Sequence, residues 1–288
     1  MRILIILLLL LFSFSGYTQK RMTSSFEGNV LDSINFYEGC CAHSIIKTTN
    51  RKYLGNHSGR IELRRNDPTV VTGSNRVEIN LNSTNTLGDR YEFEWVTMST
   101  YIPSDSNALD APNLDYVMGQ IKQPGTGGVQ TGGSPPIAFV VRADSVYLDI
   151  RWATAANPNS DNSSNRRRYF VGLRGDNQWV HYVMQYKRSH LSSGSLKLWR
   201  NDVLVINDSG PNYFEGAAIP SIKFGLYCYR WATTDPEDQG SVVPYRVLYL
   251  DRIGVFGSAS TYNDVAVYFS PSSSQIKFSG KLIINSNQ

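Results

Sequence analysis

The chain has 288 residues, with 28 Lys and Arg against 24 Asp and Glu, a formal charge of +4 and three cysteines. So few cysteines exclude a disulfide-dependent scaffold, so a hydrophobic core must hold the fold, and the length suits one large β domain or two small ones. The mild positive charge does not by itself indicate nucleic-acid binding and suits an acidic polymer equally well.

Residues 3–12 form an unbroken apolar run after Arg2, and Ser13, Ser15, Gly16 and Thr18 follow it. The run is too short to span a bilayer and reads as a secretory signal peptide over residues 1–19. No later segment reads as a membrane span. The expectation is an exported protein, secreted or periplasmic, monomeric, with no membrane or nucleic-acid partner. One domain would cover residues 20–257. An extension over 258–288 carries short apolar patches at 265–269 and 281–284, which either add an edge strand or trail off. In an oxidising compartment Cys228 can bridge to Cys40 or Cys41; three buried thiols are the alternative.

Residues 26–38 read as an irregular lead-in or first strand. Residues 59–64 and 75–81 alternate with period two, separated by the turn residues Asn66, Asp67 and Pro68. In the second run Val77, Ile79 and Leu81 face one way, and Arg76, Glu78 and Asn80 the other. Residues 91–98 and 116–122 are further strands, the latter with Gln120 and Lys122 on one face. The stretch 124–136, P-G-T-G-G-V-Q-T-G-G-S-P-P, cannot pack a core and reads as a loop beside a groove. Strands resume over 137–141 and 145–152. Residues 157–168 read as a polar loop ending in Arg166, Arg167 and Arg168. Residues 179–188 and 195–206 pair as a hairpin across 189–194.

The most informative stretch is 221–231, S-I-K-F-G-L-Y-C-Y-R-W. Ile222, Phe224, Leu226 and Cys228 share one face; Lys223, Gly225, Tyr227 and Tyr229 share the other. Gly225 leaves a gap on that front face, where a ligand could approach the backbone. A late strand covers 245–256. No segment of ten or more residues after the leader carries a helical period. Many short strands separated by Gly, Pro, Asn and Ser turns predict an all-β fold, a β-jelly roll: a concanavalin-like sandwich of two antiparallel sheets with a concave groove.

Three of these strands each carry a polar pair on one face: Arg76/Glu78, Gln120/Lys122 and Lys223/Tyr227. Side by side in one sheet, they would line a single groove. The segments R-V-E, Q-I-K and K-F-G-L-Y resemble the R-x-E, Q-x-H and Y-K-x-G-x-Y signatures of jelly-roll polysaccharide lyases, a grouping that includes alginate lyases, heparin lyase I and glucuronan lyases. W-V-H-Y, G-S-L-K-L-W-R-N-D and V-L-Y-L-D-R-I strengthen the resemblance, which spans residues 25–257.

The resemblance implies β-elimination on an acidic polysaccharide containing uronic acid. Gln120 and Arg76 would neutralise the substrate carboxylate. Tyr227 would act as acid, and as base in some members, with Lys223 as its electrostatic partner. Gln and Arg are donors suited to a carboxylate whose charge grows in the transition state. An ordinary Tyr pKa of about 10 is too high for an efficient base at neutral pH, and the expectation is that Lys223 and Arg76 lower it. One position departs from the pattern: Lys122 stands where the family has its catalytic His, and Lys is a poor base unless desolvated. Either Tyr227 serves as both base and acid, or another His enters the groove. His57 is the first candidate and His181 the second, with packing on a sheet face the preferred reading of His181. Glu78 is expected to orient Arg76, and Tyr229 and Arg230 to add substrate-binding surface.

No cofactor is required by this reading. Asp251 is a candidate ligand for a structural calcium ion, although no oxygen-rich loop of metal-binding spacing accompanies it. Two alternatives remain. A carbohydrate-binding module of the same sandwich is favoured by Lys122 in place of His. A glycoside hydrolase would use Glu92 and Glu94 as its carboxylate pair.

Overall fold

The structure is a computed structural model that describes residues 20–28, 36–70, 75–81, 93–106, 114–123, 134–153, 165–215, 220–231 and 243–269. The leader, Glu92, residues 124–133 of the Gly-rich stretch and the patch at 281–284 lie outside the described residues.

Two antiparallel sheets pack face to face. The front sheet holds seven strands: β2 (Phe36–Glu38), β5 (Asn75–Asn80), β7 (Asp115–Lys122), β8 (Ile137–Arg142), β9 (Ser145–Arg151), β10 (Arg166–Leu173) and β14 (Ser221–Cys228). Their spatial order is β10-β9-β8-β7-β14-β5-β2. The back sheet holds β1 (Lys20–Ser24), β3 (Ile45–Thr48), β4 (Ser58–Arg64), β6 (Trp95–Tyr101), β11 (Trp179–Lys187), β12 (Ser195–Arg200), β13 (Val203–Ser209) and β15 (Tyr245–Phe256). It runs β13-β12-β11-β6-β15-β4-β3, with β1 paired to β15. This is the all-β jelly roll expected from the alternation.

The core lies between the sheets. Val77, Ile79, Met118, Ile121, Leu148, Phe224 and Leu226 of the front sheet meet Ile61, Leu63, Met98, Tyr182, Leu198 and Leu248 of the back sheet. Full burial of each such side chain is worth about 1.5–3 kcal/mol.

Several expectations are corrected. Arg166, Arg167 and Arg168 open strand β10 instead of ending a loop, because buried aspartates on neighbouring strands neutralise them: Asp149 for Arg166 and Arg168, and Asp208 for Arg167. Residues 195–206 form two strands, since Asn201 and Asp202 adopt positive φ (47° and 65°) and turn the chain between β12 and β13. The patch at 265–269 is not an edge strand. It belongs to the short helix α1 (Tyr262–Ala266) and the turn after it, where Val265 and Phe269 pack on Trp95 and Phe256 of the back sheet. Thr261 and Asp264 close a reciprocal capping box at its start.

Cys40 and Cys41 are bridged to each other, and Cys228 is a buried free thiol. Cys228 lies on the inward face of β14, within the core, while the other two cysteines follow β2 at the sheet edge.

Candidate active site

Strands β7, β14 and β5 are neighbours in that order, so the three polar pairs share one surface. Lys223 pairs across with Gln120 on one side and Asn80 on the other; Gly225 opposes Glu78, and Tyr227 opposes Arg76 and Val117. Alternation alone would put Val117 and Gln120 on opposite faces. A bulge between Val117 and Gly119 shifts the phase of β7. Tyr116, Met118 and Ile121 therefore point into the core, while Val117 packs with Tyr227 and Tyr229 outside it and Gln120 reaches Glu78.

Gly225 serves a different purpose from the one its sequence position suggested. Its φ is +147°, and a Cβ there would lie 2.1 Å from the Val77 carbonyl oxygen. The glycine lets β14 approach the backbone of β5, and the gap it leaves is filled by protein.

The polar groups form a dense ion network. Glu78 is 1% exposed and sits at its centre. It accepts from Gln120 Nε2 and from Arg76 Nη1 (3.2 Å), with Lys223 Nζ at 3.8 Å. Glu38, at the end of β2, bonds Lys223 Nζ and lies 3.3 Å from Arg76 Nη1. Two cations and two carboxylates thus neutralise one another almost out of contact with water. Burial pushes the Glu78 carboxyl above its ordinary 4.5, against the pull of Lys223 and Arg76.

Tyr227 is covered by the guanidinium of Arg76, whose Cζ is 4.2 Å from the ring centre, and Tyr229 stands 5.7 Å away, ring to ring. Burial raises the Tyr227 pKa above 10, and Arg76 offsets only part of that shift. The expected lowering is therefore overturned. Desolvation dominates, and Lys223 spends its charge on Glu38 and Glu78 rather than on the phenol. Lys122 is shifted the other way. Burial, then the positive charges of Arg76 and Lys223, bring its pKa down from 10.5 to about 8. The desolvation that a lysine base needs is thus present at the position where the motif lacks its His.

Comparison with known proteins gives the chain a family. The family profile described as "Polysaccharide lyase" matches residues 13–254. The chain belongs to the polysaccharide lyase family. Among solved structures it is similar to an endo-β-1,4-glucuronan lyase from the fungus Trichoderma reesei, at 15% identity and a TM-score of 0.66, over 85% of this chain and 98% of that one. An alginate lyase of polysaccharide lyase family 7 matches at 12% identity and a TM-score of 0.47, over 75% of this chain and 82% of that one. No curated protein matches by sequence.

In this family member the structure gathers Arg76, Glu78, Gln120, Lys122, Lys223 and Tyr227 on adjacent strands and leaves His57 out. His57 precedes β4 in the back sheet, and its Nδ1 lies 3.3 Å from Glu27 Oε2. His181 is also on the back sheet. It bonds Ser99 Oγ at 2.9 Å and lies tilted against Tyr53, ring centres 4.0 Å apart, and burial lowers its pKa to about 4. Tyr229 extends the surface beside Tyr227, and Arg230 lies over Tyr229 at 5.6 Å. Asp251 of β15 accepts from the backbone N–H groups of Tyr53, Leu54 and Arg252, so its oxygens anchor a loop.

Glu38 is the group that sequence reasoning missed. It belongs to a three-residue strand with too few positions to show alternation. Its only signal was a carboxylate with no partner in view, in a chain whose groove strands carry excess cations.

Proposed function

We propose that this chain is an exported polysaccharide lyase that cleaves a uronic-acid-containing polysaccharide by β-elimination, with Lys122 as base and Tyr227 as acid. The observation that carries this reading is the pair of opposed shifts on one surface: a lysine brought down to about 8 and a tyrosine held protonated. In the reaction, Gln120 and Arg76 turn from Glu78 to the substrate carboxylate and stabilise the charge that builds on it. Neutral Lys122 Nζ takes the proton from C5. The electron pair forms the C4=C5 double bond as the bond from C4 to the glycosidic oxygen breaks. Tyr227 gives its proton to that oxygen, and the lysine ammonium then returns a proton to the phenolate through solvent. Lys223 would hold Glu38 and Glu78 in place and contribute positive charge beside the carboxylate. Tyr229 and Arg230 would hold neighbouring sugars. The reading calls for no cofactor. A β-1,4-glucuronan is the first polymer to test, because the glucuronan lyase shares the fold over nearly its whole length.

Elimination creates a conjugated double bond that absorbs in the ultraviolet, and hydrolysis does not. Purified protein is incubated with glucuronan, alginate and heparin, with Tyr227→Phe in parallel. Absorbance rising with one polymer, and lost in the variant, is the expected outcome. Binding without any rise would support a carbohydrate-binding module instead, a reading favoured by the commitment of Arg76, Lys223 and Gln120 to internal carboxylates.

A further inference from the structure

The front sheet continues past the ion network for three more strands, β8 to β10. Its floor next to Tyr227 is apolar, formed by Val117, Ala138 and Val140 with Tyr147 and Tyr229. Beyond that floor stands a bank of arginines. Asp149, with its side chain 1% exposed, bonds Arg151 Nη2 at 2.8 Å, Arg166 Nη2 at 2.7 Å and Arg168 Nε at 2.6 Å. Asp115, 4% exposed, bonds Arg142 and lies 3.4 Å from Arg168 Nη2.

The arrangement is layered. The carboxylates lie at the bottom, and the guanidiniums are the part that meets solvent, Arg142 at 39% and Arg166 at 33% exposure. Four guanidiniums meet two carboxylates, so the bank keeps two uncancelled positive charges. Each guanidinium carries five N–H donors in a planar fork, more than one carboxylate oxygen can use. Beside them Phe170 is 57% exposed and packs edge-on against Tyr147 at 5.8 Å. Planar donors next to an exposed ring suit a ligand that alternates anionic groups with apolar faces, and a uronate chain has that character.

We propose that the Arg142–Arg151–Arg166–Arg168 bank with Phe170 is a distal subsite that grips the carboxylates of sugar units remote from the scissile bond. This inference rests on the lyase reading of the neighbouring groove and deepens it: the substrate is a long polymer charged at successive units. Strands lie about 4.8 Å apart, which puts β9 about 14 Å and β10 about 19 Å from Tyr227, beyond the sugar being cleaved. Asp149 and Asp115 are positioning residues, holding the guanidiniums so that little side-chain entropy is lost when the polymer lands.

The test uses the Tyr227→Phe protein, so that binding is read without cleavage, with and without Arg142→Gln and Arg166→Gln together. Both substitutions are on partly exposed side chains and leave the Arg151 and Arg168 bonds to Asp149 in place. Dissociation constants are measured for a long β-1,4-glucuronan, for its trisaccharide and for the carboxyl-reduced polymer. The double substitution is expected to weaken polymer binding by about tenfold or more, the loss expected when charge-assisted hydrogen bonds to the polymer are removed. The loss on the trisaccharide and on the reduced polymer should be less than about twofold on the same scale. Equal losses on polymer and trisaccharide, or none on the polymer, overturn the subsite. Arginine-dependent binding by a wild-type protein that never raises absorbance sinks the elimination reading and leaves the subsite standing. Cleavage with an unchanged polymer constant does the reverse, and no binding at low salt overturns both.

Discussion

Lys122 stands where the resembling motif has His, and its surroundings decide what that exchange does. If Lys122 is the base, as proposed, it works in its deprotonated form, so the rate of elimination should rise as the pH climbs through about 8. Lys122→His should move that rise toward about 6.5, the ordinary imidazole value, while Lys122→Met should lower the rate by about a hundredfold or more with polymer binding retained. A pH–rate profile in which the rise stays near 8 in the His variant would remove Lys122 from the base role. Gly225→Ala should be severe for a different reason. The added methyl would strike the Val77 carbonyl in a backbone region that L side chains rarely adopt. A loss of at least about 3 kcal/mol in denaturant unfolding, or failure to fold, is expected. At this scale the sequence was legible for residue identity and face, because alternation with period two assigns Arg76, Glu78, Gln120, Lys122, Lys223 and Tyr227 their sides. It was not legible for ionisation. The charge of a neighbour can be read from letters, whereas desolvation depends on how tightly the sheet closes around the group, and desolvation is what raised Tyr227 and lowered Lys122.

Strand β10 shows how an element is decided by its partners. Three consecutive arginines are poor strand formers beside water, yet in register with β9 two of them sit against Asp149. Burial opposes ionisation of that carboxyl, but Arg168, Arg151 and Arg166 outweigh it and hold Asp149 below its ordinary 3.8. With its folded pKa depressed, Asp149 adds stability above the unfolded value and loses it as the pH falls below 3.8. Asp149→Asn should cost about 1.5–3 kcal/mol, since it removes charge-assisted bonds to three crowded, part-exposed arginines, and should flatten the acid limb of a melting-temperature profile. Strand β2 makes the same point in three residues. Glu38→Gln should lower the melting temperature and raise KM together, because it loosens Lys223 and Arg76 at once. A variant with unchanged KM would mean that Glu38 is structural only.

Across the molecule, the two sheets divide the work. The front sheet carries the ion network, the aromatic floor and the arginine bank on one continuous face. The back sheet is covered on its own outer side by Tyr53, α1 and the turn after it, which pack on Trp95, Trp199 and Phe256. His181 lies under this cover. Its folded pKa of about 4 is below the unfolded 6.5, so the unfolded chain binds the extra proton between those values. His181 thus contributes stability that grows as the pH is raised from about 4 to 6.5, while Asp251, raised by burial to about 6 from its ordinary 3.8, contributes the opposite slope; His181→Gln should therefore tilt the stability profile downward over that range relative to the wild type without altering the pH–rate profile of the front face. An identical slope in the variant would mean that another group is responsible. Neither His181, within β11, nor His57, just before β4, reaches the groove, because both strands belong to the back sheet.

By itself the sequence determined the all-β class, the period-two faces, the long strand over 245–256, the three motif-bearing strands and, through their order, the family resemblance. These are local properties: a strand's faces follow from its own letters, and turns from Gly, Pro, Asn and Asp. The tertiary structure alone decided that β7, β14 and β5 are neighbours, that Glu38 joins them, that an arginine run is a strand, and that Cys228 stays unbridged. Each of these depends on contacts between residues far apart in the chain. The chemistry of the groove depends on them most of all, since shutting water out of a charged cluster is a property of the assembled sheet.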